Sequence, residues 1–111
     1  MLAAKDRYQQ EVLPELISIY VSLAWCYKRS GRLDLAIETL EEALEVDATE
    51  ALLYYNLACY WSLAGHKARV LRFLSKAFFL DADYRDLVED EPDFDPMRSD
   101  PDFKELTAVI V

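Results

Sequence analysis

The sequence predicts an all-α fold of paired helices, and three observations lead there. Residues 15–91 contain no proline and only two glycines, Gly31 and Gly65; a breaker-poor tract of that length reads as helices joined by short turns. Apolar residues recur at helical spacing in 33–46 (Leu33, Ala36, Ile37, Leu40, Ala43, Leu44) and in 70–80 (Val70, Leu71, Leu74, Ala77, Phe78), which gives each segment an apolar stripe. The two glycines stand 34 residues apart, and laying 15–48 over 49–82 produces eight identities where average residue usage gives roughly two. The chain contains an internal repeat.

The elements follow in order. A first helix is expected over 15–30, and Gly31 ends it by adopting the left-handed conformation that terminates helices. A second helix spans 33–46. The same pair recurs as 50–64, closed by Gly65, and 67–80. Asp83 is placed to cap a further helix over 84–90, which Pro92 stops. Asp95-Pro96 and Asp100-Pro101 each pair an N-cap residue with a first-turn proline, so each is expected to start a short helix. Phe94, Met97, Phe103 and Leu106 can then fold back onto the second repeat.

Identities fall where packing needs them: Ala24/Ala58 and Ala43/Ala77 let backbones approach, while Tyr27/Trp61 and Leu40/Leu74 fill the space between. The pattern Y20-x-x-L23-A24-x-x-Y27-x-x-x-G31-x-x-x-x-A36-x-x-x-L40-x-x-A43, with Y54, L57, A58, W61, G65, L74 and A77 in the second unit, resembles the tetratricopeptide repeat family. Val70 stands where that family has alanine, and Ala48 and Ala82 replace its closing proline. The resemblance implies a tetratricopeptide-like α-solenoid of antiparallel helix pairs with a C-terminal capping segment. The expected organisation is a degenerate half-repeat over 1–14, with Asp6 and Gln9 at its packing positions, repeats over 15–48 and 49–83, and capping helices with an acidic tail over 84–111. That ending resembles the one closing many bacterial proteins of the family.

Charge and composition exclude several functions. The formal net charge is −9, and no basic stripe is present to neutralise phosphates, so no nucleic acid is expected. Residues 81–111 hold eleven acidic and three basic side chains, against ten and nine before them; the excess reads as a solvated terminal face. The run D-E-P-D-F-D-P lacks the glycine and ligand order of a calcium loop. The uncharged run "ALLYYNLACYWSLAG" (51–65) falls short of the ~20 residues a membrane span needs. Cys26 and Cys59 sit in apolar runs, which favours buried reduced thiols and a cytoplasmic location.

No metal, cofactor or catalytic machinery is expected. There is no Cys/His cluster at zinc spacing, no phosphate-cradling glycine loop, and no nucleophile with a base and orienter. His66, the only histidine, falls in the turn after Gly65. The expected activity is non-catalytic protein binding.

The resemblance places the binding surface. In the family the first helix of each repeat lines a concave groove; by register the partner-binding residues are Val21, Trp25 and Lys28 on one helix, and Leu52, Tyr55, Asn56, Cys59 and Ser62 on the next. An apolar, aromatic groove fits a peptide or helix with hydrophobic anchors, or is filled by one of the chain's own terminal segments. Val21 and Trp25, with Asp86 and Asp90, stand where the family's carboxylate clamp needs lysine, asparagine and basic residues, which speaks against acidic peptide tails. The alternative is self-association: "LISIYVSLAWCYK" is apolar nearly all round, and a second copy would cover it as a homodimer.

Overall fold

The computed structural model describes residues 12–108. Most of the half-repeat expected over 1–14, including Asp6 and Gln9, lies outside them. The described residues are helical with no strand. Contacts divide the chain into two compact units, split between Thr49 and Glu50.

The first unit is a helical hairpin of α1 (Leu13–Arg29) and α2 (Leu33–Val46). Its turn is a Schellman motif: the Gly31 N–H donates to the Lys28 carbonyl at 3.1 Å and the Arg32 N–H to the Tyr27 carbonyl at 2.8 Å. Gly31 sits at φ 79°, where a Cβ would crowd its own backbone. Small residues mark the seam, Ala24, Ala36 and Ala43 being fully buried with Leu40. Burying a leucine contributes about 1.5–3 kcal/mol, so this seam rather than propensity holds two short helices together. α2 ends at Asp47, whose Oδ1 accepts from the Thr49 N–H at 2.9 Å and its hydroxyl at 2.6 Å.

The second unit repeats the hairpin as α3 (Ala51–Leu63) and α4 (Lys67–Leu80), then adds two 3-10 segments, η1 (Ala82–Leu87) and η2 (Pro92–Met97), and a last helix α5 (Pro101–Thr107). The Gly65 N–H bonds the Ser62 carbonyl and the His66 N–H the Trp61 carbonyl, both at 3.0 Å, with Gly65 at φ 80°. The repeat identity Asp47/Asp81 has the same local basis, since Asp81 Oδ1 accepts from the Asp83 N–H at 3.0 Å. Val70, at the family's alanine position, is fully buried.

The tail differs from the sequence expectation in two places and agrees with it in a third. The segment expected as an α-helix over 84–90 is the 3-10 turn η1, capped by Asp81 rather than Asp83. Pro96 lies inside η2, whose cap is Glu91: its carboxylate accepts from the Asp93 N–H at 3.2 Å. Asp100 does cap α5, accepting from the Phe103 N–H at 3.0 Å. Each capping carboxylate is the one directly before the segment's first residue, and Pro92 and Pro101 fix the following φ. Phe94, Met97 and Phe103 are buried; η2 packs on α3, and η1 and α5 pack on α4. Lys67 at the start of α4 bridges Asp100 and Asp102, each at 2.8 Å, which ties α5 down.

Candidate functional site

The eight residues expected to line a groove divide between the units. Val21, Trp25 and Lys28 lie at helical spacing on α1 of the first unit. Val21 and Lys28 are half-buried, while Trp25 is 50% exposed with the Arg29 guanidinium 4.9 Å from its ring centroid. Other apolar side chains of α1 are also open, Ile19 at 59% and Leu23 at 43%. Leu23, given a packing role by the repeat code, is thus largely a surface residue. Cys26, expected to be buried, is exposed.

In the second unit Leu52 and Asn56 are half-buried, but Tyr55, Cys59 and Ser62 are interior. The assignment of these three to an open surface is corrected by the tail that covers them. The Tyr55 ring meets Phe94 edge-on at 5.7 Å and lies tilted against Tyr84 at 5.2 Å, and Phe94 lies tilted in turn against Phe103 at 5.5 Å. The physical reason is area: α3 carries no charge on any side, α4 covers only one of them, and the aromatics of η1 and η2 cover the side that carries Tyr55. The chain's own C-terminal segment occupies this face of α3.

Beneath that cover lies polar chemistry. The thiol of Cys59 and the carboxylates of Glu91 and Asp93 bring one ligand atom each within 4.8 Å of one another. The Tyr55 hydroxyl is buried without a hydrogen-bond partner, as is the Ser62 hydroxyl. Burial raises the pKa of Tyr55 and of Tyr60, and the neighbouring Cys59, Glu91 and Asp93 raise them further. Arg98 acts on Tyr55 in the opposite sense; it donates to the carbonyls of Glu91 at 2.7 Å and Glu89 at 3.1 Å. No single stretch shows this cluster, since Cys59 is distant in sequence from the D-E-P-D-F-D-P run that supplies both carboxylates.

Sequence reasoning also missed a surface of the second unit. Tyr54, Arg72, Phe73, Ser75, Lys76 and Phe79 line an open hollow, with Phe79 81% exposed. The Lys76 ammonium lies 5.4 Å from the Phe79 ring centroid and 5.9 Å from that of Tyr54. The consecutive Phe78 and Phe79 carried the available signal, because a helix buries only one of two such neighbours.

His66, at the start of α4, packs edge-on against Trp61 at 5.0 Å, and Arg69 covers the indole at 4.4 Å. The turn that holds it is a packing feature.

Two hairpins built on one 34-residue spacing define a helical-repeat protein. Residues 17–50 match the family model described as tetratricopeptide repeat, and the all-helical arrangement of paired helices is consistent with that family. That repeat is a motif of protein–protein interaction modules, which are generally non-catalytic. No curated protein matches the chain. Among the described residues no helix is long and apolar enough to cross a membrane.

Proposed function

We propose that the chain binds a partner protein through α1 of the first unit, with Val21, Trp25 and Lys28 as contact residues. The observation that carries this reading is Trp25, which leaves half its surface in water; exposed tryptophans are enriched among the residues that dominate binding energy. The partner supplies hydrophobic anchors as a helix or an extended peptide. Tyr55, Cys59 and Ser62 support the fold of the second unit instead.

The test is affinity capture with the full chain and two variants. Trp25→Ala is expected to lose a partner that wild type retains, with unchanged helicity. Phe79→Ala, on α4, is expected to retain it. Loss in Phe79→Ala with retention in Trp25→Ala moves the contact to the α4 hollow and refutes the α1 assignment. The exposure of Ile19 and Leu23, one turn apart on another face of α1 from Trp25, supports a second reading, a homodimer through α1. Light scattering across a concentration series decides it: a strict monomer at high concentration eliminates self-association, and an Ile19→Lys variant that dissociates a dimer supports it.

A further inference from the structure

We propose that Cys59, Glu91 and Asp93 form a site for a transition-metal dication of the zinc class, closed by the 3-10 segment η2 over α3. The three ligand atoms already lie within 4.8 Å of one another. Tetrahedral zinc, with about 2.3 Å to sulfur and about 2.1 Å to oxygen, sets its ligands about 3.5 Å apart. A contraction of about 1 Å completes that geometry, within the reach of side-chain rotation.

A second observation points to the same place. Tyr55 stands one helical turn before Cys59 on the same face of α3, and its ring is 95% removed from solvent, being 5% exposed. Its hydroxyl has no hydrogen-bond partner, and apart from burial itself the groups that act on it are Cys59, Glu91 and Asp93 in one sense and Arg98 in the other. A buried hydroxyl without a partner costs stability; beside a bound ion it serves the fourth ligand position, directly or through a coordinated water.

The chemistry of the donor set selects the ion. A thiolate is a soft ligand that excludes calcium and magnesium, and two carboxylates with one thiolate suit zinc or cobalt. Glu91 is already oriented, since its Oε2 accepts from the Asp93 N–H. Arg98 fixes the same loop through the Glu89 and Glu91 carbonyls and so acts as an outer support of the ligands. No local motif marks the site because its ligands come from a helix and a distant 3-10 segment.

The experiment uses the full chain, stripped with chelator and titrated with Co²⁺, then with Zn²⁺ in competition. One Co²⁺ per chain is expected, with a thiolate-to-metal charge-transfer absorption that Zn²⁺ abolishes. Cys26→Ser, at the exposed thiol, keeps the absorption, and Cys59→Ser loses it. Glu91→Gln preserves side-chain volume and the cap on Asp93; it is expected to weaken Zn²⁺ at least tenfold while the metal-free protein keeps its helicity and melting temperature. Absence of the absorption in wild type, its persistence in Cys59→Ser, or its loss in Cys26→Ser overturns the proposal. Undiminished Zn²⁺ affinity in Glu91→Gln overturns it independently, even if Cys59→Ser does not fold.

Discussion

Replacing Phe94 by alanine tests whether the acidic tail is structural. The ring is fully buried, lies between Tyr55 at 5.7 Å and Phe103 at 5.5 Å, and sits on the segment that covers α3. Truncating a phenylalanine in such a position costs about 3–5 kcal/mol, the lost transfer energy plus the cavity left behind. The contacts with the two rings are part of that figure rather than additional to it. Domains of this size have about 5–15 kcal/mol of total stability, so one side chain from a stretch that reads as solvated charge carries a large share. With a urea m-value of about 1.5 kcal/mol/M, a loss of about 4 kcal/mol lowers the unfolding midpoint by about 2.5 M. Circular dichroism across a urea series reads the shift, and alkylation of Cys59, only 2% exposed in the intact protein, is expected to accelerate alongside it. A midpoint lowered by less than about 0.5 M, with Cys59 still protected, means that η2 is peripheral. The account of why Tyr55, Cys59 and Ser62 are interior then fails.

The helix-ending glycine makes a narrower prediction. No atom lies within 4 Å of a Cβ built on Gly65, so Gly65→Ala is expected to cost only the left-handed strain, about 1–2 kcal/mol, and Gly31→Ala the same; a stability equal to wild type by chemical denaturation contradicts the Schellman turn. The Lys67 bridge makes a pH-dependent one. Asp100 is held below the usual carboxylate range, first by Lys67 and then by the Phe103 N–H, so its contribution is present at neutral pH and lost as pH falls through the lowered value. Lys67 is raised by Asp100 and Asp102, and its contribution is complete below 10.5 and lost as pH rises through the raised value. Lys67→Met is therefore expected to melt below wild type at neutral pH, with the gap closing in strong acid and strong alkali. A gap that stays constant across pH assigns the effect to packing instead.

The hairpins were legible because their determinants are local. A glycine at the end of a helix, small residues at fixed spacing and an aspartate at the closing turn act through contacts a few residues apart. A 34-residue spacing repeats that code in the second pair. The helices of 33–46 and 67–80 accordingly begin and end where periodicity places them. The capping of η1 and η2 was less legible, since several acidic residues compete and only backbone geometry selects Asp81 and Glu91.

The faces of α3 were not legible at all. Tyr55, Cys59 and Ser62 are as compatible with a partner's groove as with an interior, and the residues that bury them lie about 30 to 40 positions further along. Sequence by itself determined that α3 must be covered on more than one side, because its lack of charge makes exposure unfavourable on every face. Only the tertiary structure decided what covers it. Burial is non-directional and accepts any apolar surface brought within reach, and the turns of the tail bring Phe94, Tyr84 and the Glu91–Asp93 pair there.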